Sequence, residues 1–458
     1  MNNDFSFYKK DNIAAIATGG GISAIAIIRC SGDSIFPIIS KLFKPANSAN
    51  NILLMSGYSE VYGYMMDGYN KIDDVILSLF HEPKSYTGEN SIEISCHGSI
   101  YIQQKIMELL QKNNIRPAEP GEFTMRAFAR GKLDLSQAEA VNDLIDSKSE
   151  ISHLIAMRQL KGNYSDNIKI LRNNFIDFAS LLELELDFAE EEVEFADRKK
   201  FFEFIETIKK EITKLIDSYR LGKVLKSGIP VAIIGKPNVG KSTILNLLLE
   251  DDKAIVSDIP GTTRDFIEDT LLISGNLFRI IDTAGLRKSN DIIENLGIEK
   301  TLSKIKEASI ILYIVDEQGF KQEDLNRIID FKKDGKTVIE IVNKSDLLKN
   351  PNSFESNQIL ISAKNKINTN KILDQLLKYV EHFRINDNTI VSSARHIDIL
   401  KKTLVDIQNI KKGFENNIPI DLISIDVREA LTHLSEITGQ ITTDDLLGSI
   451  FGKFCIGK

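Results

Sequence analysis

The octet GKPNVGKS at 235–242 restricts this chain more than any other stretch. It matches G-x-x-x-x-G-K-[ST], follows the apolar run IPVAIIG and opens the helical run KSTILNLLL. Such a loop holds an anion by aiming successive backbone N–H groups at it from a helix N-terminus, so a strand must feed it and a helix must leave it. A glycine turn ahead of an ordinary helix has no need of the Lys-Ser pair. Between 228 and 380 the Ile- and Val-rich runs IPVAIIG, LFRIIDTAG, SIILYIVD, TVIEIVNKSD and QILISAK alternate with helical segments. That is the pattern of a mostly parallel sheet with helices on both faces. In the loop, Lys241 is expected to reach the β- and γ-phosphates of a nucleotide and Ser242 to bind Mg²⁺. Asn238, Val239, Gly240 and Thr243 complete the cradle.

Three further segments follow in register. DTAG (282–285) ends a strand. Asp282 would hold Mg²⁺ through water, the Gly285 amide would meet the γ-phosphate, and Thr283 and Ala284 lie between them. NKSD (343–346) ends another strand. Asn343 and Asp346 suit a guanine, whose N1–H and exocyclic amine a carboxylate accepts and which adenine lacks on that edge; Lys344 lies between them. SAK (Ser362, Ala363, Lys364) can offer a backbone N–H to the guanine oxygen. PGTTRD (260–265) supplies Thr263 as a second Mg²⁺ ligand, within a loop running Ser257, Asp258, Ile259, Pro260, Gly261, Thr262. The four motifs resemble those of the translation-factor class of P-loop GTPases, and that class supplies these roles. In Ras-like proteins a glutamine after this DTAG orients the attacking water; here the position is Leu286. Arg264 and Arg287 are arginine-finger candidates, although arginines in such loops are more often solvated. GTPases with an asparagine at the position of Asn238 resemble a group that binds K⁺ against the phosphates. The backbone at Ser257, Ile259 and Thr262 would complete that cage; the bland role of Asn238 is to shape the loop.

A chain of 458 residues exceeds one ordinary core. Residues 1–120 read as an N-terminal α+β domain, with strands around Gly19-Gly20-Gly21 and a helix in IYIQQKIMELLQ. From 121 to 222, and again from 381 to 458, the spacing is helical. The expected organisation is therefore a discontinuous all-α domain with the α/β domain, 223–380, inserted into it. The three cysteines (30, 96, 455) lack CxxC spacing and the six histidines lack zinc spacing, so a reducing compartment is expected. No signal-like leader or membrane-length apolar run is read, and the expectation is a cytoplasmic protein. A net charge of −8 argues against a generally basic, nucleic-acid-coating surface. Arg116, Arg126, Arg130 and Lys132 still form a weak local basic cluster, expected to be solvated rather than to bind tRNA.

The chain ends FGKFCIGK, with Cys455 four positions from the end. A prenylation box has a cysteine there, but Gly457 and Lys458 fit that box poorly and no polybasic run precedes it. The plain alternative is a partly buried cysteine in a frayed tail.

SYTGENSIEISCHG (85–98), PGEFTMRAFARGKLDLSQAEAVNDLID (120–146), GTTRD, DTAGLR and LSEITGQITTDDLLGSIFGKFCIGK (434–458) together resemble the MnmE (TrmE) family of tRNA-modification GTPases, from about residue 12 to the end. The resemblance implies a homodimer through a folate-binding-like N-terminal domain. It implies a partnership with the flavoprotein MnmG, and transfer of an aminomethyl or carboxymethylaminomethyl group to carbon 5 of the wobble uridine of tRNA. The one-carbon donor it implies is a tetrahydrofolate, in the 5-formyl or methylene form. Folate contacts carry onto Arg29, Glu93, Lys132 and Lys458. Cations suit the folate's glutamate tail and a carboxylate suits its pterin, whereas each residue singly would read as a surface ion pair. The resemblance also implies K⁺-dependent pairing of G domains. It implies a water-orienting role for Glu294, otherwise an acidic residue of a first helical turn. It implies an inward-packed tail whose Cys455 serves tRNA modification but not GTP hydrolysis. The chain departs from the family at Pro260 and in the turn TGGG.

Two other functions compete. A ribosome-assembly GTPase switch of the Asn-P-loop type would carry a basic RNA-binding appendage. A GTP-regulated one-carbon transferase would act on a small molecule.

Overall fold

The computed structural model describes residues 11–187, 198–250, 254–256, 269–281, 305–348, 354–381 and 390–458. The chain divides into two compact units: Met1–Asp146, Ala156–Ile212 and Asp398–Lys458 form one, and Ser147–Ile155 with Thr213–Ile397 the other.

The first unit combines an α+β part with a helical part. Its sheet is built from β1 (Asn12–Ile16), β2 (Ile25–Ser31), β3 (Phe43–Pro45), β4 (Ser59–Asp67), β5 (Asn70–Phe80), β6 (Ser91–His97) and β7 (Ile115–Pro117), in the order β3-β4-β5-β6-β2-β1-β7. Every pairing is antiparallel except β1 with β7. The helices α1 (Ile35–Leu42) and α2 (Ile100–Lys112) contribute Ile35, Ile39, Ile106 and Leu110 to a core with Ile28, Leu77 and Ile94. Alternation along β2 and β6 buries Ile28 and Cys30 on that side and sends Arg29 to the other. Because Arg29 lies directly opposite Ala15 and Glu93 in the register, these residues share one face.

On that face sits a buried ion network around the helix α3 (Glu122–Ala129). Arg126, 1% exposed, donates to Glu89, Glu122 and Asp11 at 3.1, 2.9 and 2.7 Å. Arg116 donates to Glu122 at 2.6 Å and to Asp11 at 2.7 Å. Ser31 donates to Glu89 at 2.7 Å. The expected basic cluster is therefore not an open patch. Arg116 and Arg126 are consumed by internal carboxylates, Arg130 lies 3.5 Å from Asp33, and Lys132 donates to the Pro83 carbonyl at 3.0 Å. A sequence lists charges along the chain, and only the fold shows which carboxylates face them.

The helical part includes α4 (Leu135–Ile145), α6 (Asn163–Asp187), Ile420–Thr438 and Asp444–Phe451; α5 (Glu150–Leu160), α7 (Arg198–Ser227) and Ala394–Glu415 each run through the division between units. Asp134 caps α4 in a reciprocal capping box with Gln137. Phe178 stacks on Phe204 at 5.0 Å and meets Phe201 edge-on at 5.3 Å, with Phe414 against Phe201 at 5.4 Å. The three- and four-residue spacing of Phe175, Phe178, Leu182 puts them on this one stripe. No described helix is long and apolar enough to cross a membrane.

The second unit carries β8 (Ile229–Gly235), β9 (Ala254–Val256), β10 (Asp269–Ile273), β11 (Asn276–Ile281), β12 (Ile310–Val315), β13 (Thr337–Val342) and β14 (Ile359–Leu360), in the order β14-β13-β12-β8-β11-β10-β9. β14 through β11 are parallel, and the hairpin of β10 with β11 adds an antiparallel edge. β12 is buried at all six positions, as a central parallel strand must be. The helices α8 (Lys241–Glu250), Gln322–Lys333 and Asn370–Glu381 belong to this unit.

Candidate functional site

The phosphate-binding octet leaves β8 and enters α8 at the carboxyl edge of the parallel strands, where open α/β sheets bind ligands. Asn238 and Gly240 take positive φ, 63° and 96°. The first is a conformation asparagine tolerates, so loop shaping alone accounts for its backbone; its side chain is exposed. The ammonium of Lys241 donates to the carbonyls of Gly235 and Lys236, both at 2.7 Å, inside the loop. Burial holds its pKa below the usual lysine range. Ser242 and Thr243 follow in the first turn of α8, and Val239 is buried in the core.

Asn343 ties three loops together. Its Nδ2 donates to the Val239 carbonyl at 2.9 Å, its Oδ1 accepts from the Ala363 amide at 3.0 Å, and its own amide donates to Val315 at 2.8 Å. Both ends of the side-chain amide serve backbone, so Asn343 mainly positions the cradle. Asp346 is exposed and makes no hydrogen bond or ion pair to a described residue, which leaves it open to a base. Lys344 has φ 61° and lies 3.7 Å from Glu317. Ser362 is fully buried and its hydroxyl accepts from the Asn365 amide at 3.3 Å, while Lys364 is exposed. Asp324 is not singled out by any sequence pattern. It accepts from Tyr313 at 2.9 Å and from Lys236 at 3.4 Å, and so anchors the loop from the side. Ser257, Asp258, Ile259, Pro260, Gly261, Thr262, Thr263, Asp282, Thr283, Ala284, Gly285 and Glu294 lie outside the described residues.

The first unit gathers a second group. Arg29 forks onto Glu93, Nε at 2.9 Å and the terminal nitrogen at 2.8 Å, and reaches the Gly457 carbonyl at 3.4 Å. Its guanidinium lies over the rings of Tyr86 (5.2 Å) and Phe123 (5.7 Å), and Tyr86 hydrogen-bonds Thr124 at 2.8 Å. Neither ring is visible as a partner in the sequence, because both arrive from other segments. Burial, then the charge of Arg29, hold the Lys458 ammonium below its usual range. Lys132 sits instead against the Pro83 carbonyl. The chain terminus is docked rather than frayed: Phe451 and Phe454 pack with Phe128 and Leu135, and the Cys455 carbonyl accepts from Gly121 at 3.4 Å.

Cys455 is exposed, whereas Cys30 and Cys96 are buried. Burial raises both buried thiols, Cys96 to about 11 with a lesser contribution from Asp73. A maleimide at pH 7.5 should therefore label one of the three thiols in the native protein and all three in denaturant. Labelling of Cys455→Ser should be absent in the native state, and mass spectrometry of labelled peptides checks it.

Residues 12–132 match the family described as GTP-binding protein TrmE N-terminus, and residues 135–455 match the MnmE helical domain. A tRNA modification GTPase MnmE of Flavobacterium psychrophilum is 48% identical, covering 98% of this chain and 99% of that protein. The same-named protein of Porphyromonas gingivalis is 45% identical over 98% and 99%. Among solved structures, Aquifex aeolicus Era is similar over 39% of this chain and 66% of that one, at 25% identity and a TM-score of 0.24. The FeoB G-domain of Methanococcus jannaschii covers 33% of this chain, at 22% identity and a TM-score of 0.25. With the phosphate loop, the guanine-type motif and the docked C-terminal tail in one chain, and two family models spanning nearly its whole length, the chain belongs to the MnmE family of tRNA modification GTPases.

Proposed function

We propose that this chain is the K⁺-dependent GTP-hydrolysing component of a complex with the flavoprotein MnmG that modifies carbon 5 of the wobble uridine in tRNA. The group added is aminomethyl or carboxymethylaminomethyl, its one-carbon unit coming from a 5-formyl or methylene tetrahydrofolate. The protein acts in the cytoplasm as a homodimer. Its domains are 1–120, 121–222 with 381–458, and 223–380.

The observation that carries the reading is the meeting of Arg29, Glu93 and the docked tail in a chain that also holds a built phosphate cradle. Glu93 offers a carboxylate to the amine and N–H donors at the pterin end of a folate, and Arg29, forked onto it, holds that carboxylate in place. Lys458 and Lys132 add positive charge for its glutamate tail. In the G domain, Lys241 and the loop amides from Asn238 to Ser242 bind the phosphates, and Asp346 accepts from the guanine. Ser242 and Thr263 would hold Mg²⁺, which neutralises charge on the β- and γ-phosphates. Asn238, with the backbone at Ser257, Ile259 and Thr262, would hold K⁺ where an arginine finger would otherwise reach. Glu294 orients the attacking water through a second water.

Nucleoside mass spectrometry on tRNA from cells with and without the protein tests the reading: the modified wobble uridine should vanish on depletion. A Cys455→Ser chain should fail to restore it, while its GTP hydrolysis stays within about twofold of the parent's. Unchanged tRNA with accumulating ribosomal subunits would replace this reading with an assembly switch.

A further inference from the structure

The first unit contains a cavity of about 490 Å³ lined by Ala14, Ile16, Thr18, Gln103, Met107 and the tail residue Ile456, among others. The size is within the range of ligand sites. None of Arg29, Glu93, Lys132 and Lys458 lines it, and no residue of its wall is charged. A phosphate or carboxylate is therefore a poor occupant. Gln103 is 5% exposed, and its side-chain amide makes no hydrogen bond to any described residue. Gln103 lines the cavity, so its amide is open to a partner held there.

We infer that the cavity receives the uracil ring of the tRNA substrate, with Gln103 reading its imide edge. The inference rests on the function proposed above. Enzymes that modify a base take it out of the stack, hold it between apolar side chains and bind its Watson–Crick edge. The Gln103 Oε1 accepts from uracil N3–H, and its Nε2 donates to the C4 carbonyl oxygen. Ring, apolar wall and paired amide are all neutral, as the lining requires. Ile456 stands on the wall directly after Cys455 in the chain, so the docked tail belongs to both this cavity and the Arg29 group.

The test is binding of an anticodon stem-loop RNA by the full chain, with uridine or 3-methyluridine at the wobble position. The methyl group removes the N3–H. The parent should bind the uridine form about 10-fold to 100-fold more tightly. Gln103→Met should lose most of that preference, and a thermal unfolding midpoint near the parent's shows that it folds. Met107→Phe, which narrows the cavity from the same helix, should weaken binding of the uridine form and stands in if Gln103→Met does not fold. Equal binding of the two RNAs by the parent, or an unchanged preference in Gln103→Met, overturns the inference. So does a Gln103→Met chain that loses folate binding yet keeps its RNA preference, because the cavity would then be part of the folate site. Failure of the RNA to bind, while depletion still removes the modified uridine from cellular tRNA, overturns this inference alone. Unchanged cellular tRNA overturns the proposed function beneath it.

Discussion

Replacing Arg126 with methionine is expected to destabilise the first unit by about 3–5 kcal/mol, the cost of removing one partner from a buried ion network. Arg126 is 1% exposed and satisfies Glu89, Glu122, the Asp11 carboxylate and the Asp11 carbonyl. Glu122 keeps Arg116 in the variant, whereas Glu89, also 1% exposed, loses the guanidinium that it pairs with at 3.1 Å. Arg126→Lys should recover part of the loss, because one ammonium does not fork onto several carboxylates. Urea unfolding followed by far-UV circular dichroism measures both; a parent-like midpoint for Arg126→Met would show that the network is energetically neutral. Acid gives the same network a second signature. Burial pushes the Glu122 carboxyl up, but hydrogen bonds from Arg116, the Glu119 amide and Arg126 outweigh it and hold the carboxyl below its ordinary value of 4.5. A group lowered on folding stabilises above its unfolded value, so this contribution is present above pH 4.5 and is lost as pH falls through the lower folded value.

Gly240→Ala is expected to cut kcat/KM for GTP hydrolysis by about 100-fold, the scale of a 1 Å misplacement in a positioned site. Gly240 has φ 96°, and a Cβ there would stand 2.2 Å from Asn343 Nδ2. That nitrogen donates to the Val239 carbonyl, so the added methyl must either bend the phosphate loop or push the Asn343 amide off that carbonyl. Both outcomes displace the cradle while leaving the hydrophobic core of the sheet intact. Asn343→Ala removes the tie without the clash and should lower activity in the same direction. Steady-state phosphate release with full-length protein reads both. Hydrolysis at the parent rate by Gly240→Ala would mean that this tie has no bearing on the chemistry.

Local rules made part of this molecule legible. The octet 235–242 and the apolar runs beside it demand a strand, a loop and a helix, and β8 and α8 stand there. The runs DDVILSLF and SIEISCHG read as strands because alternation of period two needs no knowledge of partners, and β5 and β6 cover them. The strands β3 and β9, three residues each, escaped that reading, because edge strands that short carry too few positions to show a period. The antiparallel pairing of β10 with β11 turns on Ser274 and Gly275 at positive φ, a turn signal inside a region otherwise read as parallel.

Residue chemistry and its order along the chain were therefore determined by the sequence alone: the glycine-rich loop 235–242, the NKSD run that carries Asp346, and a thiol four positions from the end. Which groups meet was decided by the tertiary structure. Arg29 and Glu93 are 64 residues apart and meet because β2 and β6 pair in one register; a slip of one residue would put them on opposite faces. Arg126 is a surface cation on any count of composition, yet it is buried because Glu89, Glu122 and Asp11 converge on it from three segments. Periodicity reports which way a side chain points from its own backbone, and desolvation, ion pairing and cavity walls depend on what the rest of the chain brings to meet it.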